Sequence, residues 1–454
     1  MDLEEIAKRA VEVALSAGAG DAEAYVQDSV RREIRIFEGE VESLTEAGER
    51  GLGVRCWIDH RSGYAYGTEL SADGLRAIAA DAVETARIAD PDEFAVAPSA
   101  DGAADPPDIP GLRDSTLGKW TTERKIELAK SIERAAREAD QRVTAVETTV
   151  YADDEQRVAI ASSTGLAGAF EATTAYAYLQ AIADADGDKQ TGLGFGMGRS
   201  PEALHADEIG REAAERAASL LGASKPASQT CPVVLDPIVA ASFVGFIGGT
   251  LCADVVQRGR SPFADRLGDL VASPTLTVTD DATDPAGLNS SPLDAEGAPS
   301  GRTRLIEAGK LTAYLHDSYT ARRQGEGTRT TANASRAGYR SPPSVSPSNL
   351  VVAPGAQTFD ELLAEAKDGV YVTDVAGLHS GVNPVSGTFS VGATGRLISN
   401  GQLAAPVDEF TIASDLQSML EAITAAASEP RWVPFGGSVN TPALLISEVA
   451  VGGS

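Results

Sequence analysis

The first 223 residues set out one plan twice, and a repeated plan restricts the fold more than any single motif does. Residues 3–17 are spaced as an amphipathic helix, strands follow between about 22 and 69, and a second helix covers 71–88. Within the strands, REIRIF (32–37) turns through Glu38-Gly39-Glu40 into VESLTEA. GLGVRCWID (51–59) turns at His60-Arg61-Ser62-Gly63 into YAYGTEL. Val54, Cys56 and Ile58 alternate with Arg55 and Trp57, the period of a half-buried strand. Ser71 offers its hydroxyl as the cap of a helix whose Leu75, Ile78, Ala82 and Ala86 share one face.

The second unit repeats this order. A helix is predicted over 121–140 and a hairpin within VTAVETTVYADDEQRVAIASSTG. A second hairpin turns near Asp186-Gly187-Asp188, and a closing helix covers 206–223. Between the units lies PDEFAVAPSADGAADPPDIPGLRDST (91–116), rich in Pro, Asp and Ala and without periodicity, which reads as a surface connection. Residues 1–225 are therefore expected to form an N-terminal domain of two similar units, about 1–90 and 117–223. Residues 226–454 are expected to form a second domain.

SKPASQT (224–230) marks that boundary. Beyond it come the strand PVVLD, a helix over 237–257 and an irregular stretch to about 300. Two hairpins follow, RTRLIEAGKLTAYLHD and GRLISNGQLAAPVDEF. Their turns, Ala308-Gly309 and Asn400-Gly401, use residues that tolerate positive φ. A helix over 412–426 and a strand over 443–451 complete the chain. Duplicated helix and antiparallel-sheet units, then a mixed, largely antiparallel β domain with helices, make the class α+β.

Charge and composition exclude several functions. Sixty-six acidic against 38 basic residues give a net charge of −28, a field that repels phosphate backbones, so no direct nucleic-acid partner is expected. Three widely spaced cysteines, Cys56, Cys231 and Cys252, build neither a disulfide framework nor a zinc cluster and suit a reducing cytoplasm. The N-terminus lacks a basic start and a long apolar run, and Ile238–Cys252 is too short to span a bilayer, so no membrane partner is expected. GLGFGMG (192–198) alternates glycine with large apolar residues and opens no capped helix. It reads as a strand with one bare face rather than a phosphate loop. None of the four histidines, His60, His205, His316 and His379, has a second ligand three to five residues away.

Two segments are denser in polar groups than a core requires. LHDSYTARRQGEGTRTTANASR (315–336) holds Asp317, Tyr319, Arg322, Asn333 and Arg336. GLHSGVNPVSGTFSVGATG (377–395) places Asn383 and Ser386 among glycines and hydroxyls. They read as loops satisfying their own hydrogen bonds, or as the wall of a cleft that holds peptide, because extended glycine-rich backbone accepts an added strand.

The blocks DAEGAPSGRTRLIEAGKLTAYLHDSYTARRQG (294–325), TANASR (331–336), GVNPVSGTFSVGATG (381–395) and APVDEFTIASDL (405–416) resemble the TldD/PmbA family, as does LGVRCWIDHRSGYAYGTEL (52–70) near the N-terminus. The resemblance covers essentially the whole chain. It implies one of two branches. The TldD-like branch is a zinc peptidase with a His-Glu-x-x-x-His helix and a cysteine ligand near the C-terminus. Here the matching helix reads FVGFIGGT, with Val244, Gly245, Gly248 and Gly249 at the degenerate metal positions, and the C-terminal stretch has no cysteine. The chain resembles instead the TldE (PmbA) branch, historically labelled a modulator of DNA gyrase. Likeness to that branch implies a metal-free subunit without catalytic or metal residues of its own, enclosing a peptide-processing cavity with a zinc-bearing TldD-like partner. The alternative is an independent homodimer with a repurposed peptide- or amide-processing or peptide-binding activity. There Asp317, Tyr319, Arg322 and Asn383 would act first.

Overall fold

The computed structural model describes residues 2–100, 104–435 and 437–454, with His379 described by its backbone alone. The stretch 101–103 of the 91–116 connection lies outside the described residues. The class is α+β, as the sequence predicts.

Helix α1 (Leu3–Ser16) starts at Asp2, whose carboxylate accepts the Leu3 N–H at 2.8 Å. Then come β1 (Asp21–Phe37), β2 (Glu40–Ile58), β3 (Arg61–Gly67) and α2 (Ala72–Ile88), the last capped by Ser71. The second unit holds α3 (Thr122–Ala139), β4 (Val143–Ser162), β5 (Ala167–Ala185), β6 (Asp188–Gly198) and α4 (Ala206–Ser219). All six strands form one sheet in the order β3-β2-β1-β4-β5-β6. The halves therefore mirror each other across the antiparallel β1–β4 seam, which runs from Glu23–Ser162 to Ile36–Thr149. The four helices cover one face, where Leu75, Ile78 and Ala82 serve the first half and Ile132, Ile209 and Ala213 the second. The glycine face of β6 is bare because α4 lies against it: side chains at Gly192 and Gly194 would overlap the α4 backbone at Ala213, Ala217 and Ile209.

Several predicted boundaries shift. VESLTEA and GLGVRCWID belong to one 19-residue strand, and the turn after it falls at Asp59-His60, both at positive φ. The hairpin predicted in VTAVETTVYADDEQRVAIASSTG is the single strand β4. Its polar run resembles a turn, yet Asp153 is buried between Lys125 (2.6 Å) and Arg32 (3.1 Å) and accepts the Tyr151 hydroxyl at 2.7 Å. Paired charges keep the strand extended there. The helix predicted to 223 stops at Ser219.

The second half begins with β7 (Gln229–Leu235) and α5 (Pro237–Thr250). The predicted helix over 237–257 breaks at Leu251-Cys252 and resumes as α6 (Ala253–Gln257). The stretch predicted to be irregular contains β8 (Val278–Asp281), followed by β9 (Arg302–Glu307) and β10 (Lys310–Leu311). Next are α7 (Ser318–Gln324), β11 (Ala334–Ser335), β12 (Ser344–Val345), β13 (Asn349–Val352), α8 (Phe359–Ala366), β14 (Gly369–Ala376) and α9 (Leu378–Gly381). The chain ends with β15 (Thr388–Ser399), β16 (Gln402–Asp415), α10 (Leu416–Glu421), β17 (Ile423–Ala426), β18 (Arg431–Val433), β19 (Ser438–Thr441) and β20 (Leu444–Gly452). The helix predicted over 412–426 is thus only the turn α10. Ile412 and Ala413 continue the ladder with Val391 and Ser390, and Ala425 and Ala426 pair with Leu445 and Leu444. Sheet pairing overrides helical spacing there.

One sheet runs β10-β9-β8-β13-β19-β18. The other runs β16-β15-β14-β7-β20-β17, and an added β16–β20 pairing closes five of its strands into a ring. Pairing is antiparallel except for β13–β19 and β14–β7. The main core of this half gathers around α5.

Candidate functional site

Two polar cavities lie where the second half meets the face of the N-terminal sheet that carries no helices. The first, about 280 Å³, is lined by Tyr25, Asp154, Thr174, Ser291, Asn333 and Arg336. The second, about 380 Å³, is lined by Arg55, Asp254, Glu296, Asp317, Tyr319 and Arg322. Between them runs a buried charge seam. The Arg55 guanidinium bonds Glu23 at 2.7 Å and Glu296 at 2.8 Å, and Arg336 pairs with the other Glu23 oxygen. Two cations and two anions balance, as burial of charge requires. Burial pushes Glu296 upward, but Arg55 outweighs it and holds the carboxyl below its usual range. Neighbouring Asp294 is driven the other way, first by burial and then by the Glu296 charge.

Each predicted residue has a definite place. Asp317 is the cap of α7, its Oδ1 accepting the Thr320 N–H at 2.7 Å in a capping box. Burial, then the Glu296 charge, raises its carboxyl. Tyr319 donates its hydroxyl to Asp92 at 2.7 Å, and Arg322 donates to the carbonyls of Phe94 and Val96. These two therefore fasten the start of the 91–116 connection to α7. Asn333 is buried and donates to Asp280 Oδ2 at 2.7 Å and to the Ser346 carbonyl at 3.2 Å. Arg336 is a member of the seam. Asp317, Tyr319 and Arg322 share the second cavity, Asn333 and Arg336 the first. Asn383 and Ser386 line neither. Asn383 Oδ1 accepts the N–H groups of Val385 and Ser386 at 2.9 and 3.1 Å, closing its own exposed turn.

Sequence reasoning missed Glu23, Arg55, Asp280, Asp294 and Glu296. Arg55 was visible as the polar residue between Val54 and Cys56, pointing away from the helix layer. Asp294 and Glu296 sat unremarked inside the DAEG block.

Helix α5 is different in kind. Phe243, Val244, Ile247 and Gly248 face a wholly apolar core gap of about 20 Å³. A side chain at Gly248 would overlap Leu350, whereas Gly249 has open space beside it. Asp236 caps the helix through the Ile238 N–H at 2.9 Å and pairs with Arg216 of α4 at 3.0 Å. The residues present do not fit a zinc ion. Apart from that cap, α5 offers only hydroxyls and apolar groups, and among the described residues no three His, Cys, Asp or Glu side chains group around a common point. The cysteines are buried and free. Burial pushes the Cys56 thiol up to about 12 and raises Cys231 and Cys252, so burial favours the neutral thiol at all three. Burial lowers His316 likewise.

This combination defines a class: an α+β protein with a two-unit sheet, a ring-closed second half and a central helix, α5, built of apolar and small residues. Family models described as PmbA/TldA metallopeptidase domain 1, central domain and C-terminal domain match residues 22–86, 116–221 and 228–453. The chain belongs to the PmbA/TldD family. It is 28% identical to "Metalloprotease PmbA" of Escherichia coli O157:H7 over 99% of this chain and 96% of that one. It is also 28% identical to "Metalloprotease TldD homolog" of Haemophilus influenzae over 95% and 93%. Among solved structures, a Thermotoga maritima protein described as a candidate modulator of a DNA gyrase superposes with TM-score 0.90, 26% identity and coverage of 99% and 100%. TldE from Thermococcus kodakarensis shares the fold at TM-score 0.90, 21% identity and the same coverage. No helix among the described residues is long and apolar enough to cross a membrane.

Proposed function

We propose that the chain is the metal-free, TldE-like subunit of a heteromeric metallopeptidase, enclosing a cytoplasmic peptide-processing chamber with a zinc-bearing TldD-like partner. The observation that carries this reading is α5. A zinc peptidase site needs nitrogen, sulfur or carboxylate donors and an open position for water. At these positions the helix has Val244, Gly245, Gly248 and Gly249, packed as core on one side and open at Gly249 on the other. Zinc would be the partner's alone. The contribution of this chain is a wall: hydroxyls, amides and backbone around the two polar cavities, held in register by the charge seam. Asp317, Tyr319, Arg322, Asn333 and Arg336 act there by positioning loops, not by touching reacting atoms.

The test is isolation of the tagged chain from its own cells, with metal content and peptide cleavage read on the eluate. The expected result is a second subunit bearing a His-Glu-x-x-x-His helix, about one zinc per pair, and turnover only in the pair. Stoichiometric zinc or peptide turnover on the isolated chain would overturn the reading.

A further inference from the structure

Strand β2 carries a long unpaired edge. The two-residue turn at Asp59-His60 makes Ile58–Arg61 a hydrogen-bonded pair, so the even-numbered residues of β2 aim their backbone groups at β3. β3 stops at Gly67, opposite Leu52. Past that point the same alternation leaves the N–H and C=O of Leu44, Glu46, Gly48 and Arg50 directed outward, and no strand pairs with them among the described residues. Every residue from Glu40 to Gly48 is exposed. The segment has no proline and no lysine, two usual guards of an open edge, and its bulge lies at the hairpin tip, opposite Arg35-Ile36. Val41 and Leu44 add exposed apolar surface beside it.

We propose that this edge takes an extended peptide segment as an added strand, read through its main chain and favouring neutral or basic side chains. Two observations select that occupant. A second copy pairing antiparallel so that all four outward residues are used would oppose Leu44 to Arg50 and centre on Ala47. Its own residues 40–42 would then lie opposite 52–54, where β3 already sits. A short separate segment meets no such obstacle. Charge favours the basic class: Glu40, Glu42, Glu46 and Glu49 line the strand against Arg50 alone. Lys130, Arg32 and Arg340 hold Glu40, Glu46 and Glu49 at 3.3, 2.9 and 3.1 Å, while among the described residues Glu42 has no ion pair and only feels the charge of Arg35. An acidic peptide would set like charges across the ladder. The edge rests on the peptide-handling reading in one respect only, the source of the peptide, since it is a property of the isolated chain.

The probe is a fluorescein-labelled ten-residue peptide of alternating Thr and Lys, titrated against the full isolated chain by fluorescence anisotropy. L44P and G48P each remove an outward N–H that β1 does not use, a substitution an edge tolerates. Each is expected to weaken binding about tenfold or more, whereas L44A, which keeps the N–H, changes it less than about threefold. N-methylation of one alternate set of peptide residues should abolish binding and of the other set spare it. Circular dichroism separates loss of fold from loss of binding, and the methylated peptides keep the test decisive if a proline variant unfolds. Absence of binding by the wild-type chain, unchanged affinity of both proline variants, or equal effects of the two methylated sets would overturn the proposal. Because the zinc-bearing partner is absent from the titration, these outcomes are independent of whether the heteromer exists.

Discussion

The surroundings of α5 and the seam beneath the N-terminal sheet are both buried, and they are built from opposite chemistry. On the core face of α5 the packing is apolar: Phe243 meets Phe389 with ring centroids 5.1 Å apart, and Leu276, Leu305 and Ile446 close the far side. At the seam, the side chains of Glu23 and Arg336 are each only 1% exposed and depend on one another and on Arg55 and Glu296. An apolar core accepts replacements of similar volume. A buried ion network does not, since loss of one member strands the rest. The core face of α5 therefore asks only for volume, while the fit of the sheet onto the second half asks for particular residues.

The largest effect that sharpens this contrast is expected at Arg336. Arg336→Met removes the bond to Glu23 and those to the carbonyls of Ala295 (3.1 Å) and Ser341 (3.2 Å). It should cost about 3–5 kcal/mol in chemical denaturation, with part restored by adding Glu23→Gln. Phe243→Leu, its counterpart on α5, should cost only about 1 kcal/mol. Equal costs at the two sites would erase the distinction.

A pH titration separates the regions next. Asp280, bonded by Asn333 Nδ2 and by the Ser348 N–H and hydroxyl, is pushed up to about 6 because burial outweighs those bonds. Its folded value lies above the unfolded one, so its contribution is complete below about pH 4 and is lost as pH rises through 6. The loss amounts to roughly 2–3 kcal/mol. Glu296, held low in the seam, has the opposite sign: its contribution is present above about pH 4.3 and is lost on acidification. Asp280→Asn should shrink the fall in unfolding free energy between pH 4 and 6.5. An unchanged profile would remove Asp280 from the account.

How much of this was legible in the chain depended on whether the determining partners were local. α2 announced itself through the Ser71 cap and the Leu75, Ile78, Ala82 and Ala86 face, and both positive-φ turns, Ala308-Gly309 and Asn400-Gly401, formed where expected. The bare face of GLGFGMG was readable as a strand, though not what covers it. The hairpin expected within VTAVETTVYADDEQRVAIASSTG is a single strand, because a polar run such as Asp153–Gln156 has the same composition in a turn and in a strand with charges paired across it; Lys125 and Arg32 decide between them from 28 and 121 residues away. The seam was invisible for the same reason, since Glu23, Arg55, Glu296 and Arg336 are brought together only by the fold. The segment 315–336 drew attention for its polarity, and its residues proved to be caps and clamps.

The smallest predicted effect bears most directly on α5. Gly248 and Gly249 are adjacent in sequence and opposite in setting. A methyl at 248 would press on Leu350 and Pro347 in the core, and a methyl at 249 would meet nothing. Gly248→Ala should therefore destabilise the isolated chain by about 1 kcal/mol, since overpacking outweighs the gain in helix propensity. Gly249→Ala should stabilise it by up to about 1 kcal/mol through that propensity alone. If the open side of α5 faces a partner subunit, the second substitution has a further signature: stability of the lone chain rises while affinity for the partner falls. A gain in both would place the interface elsewhere.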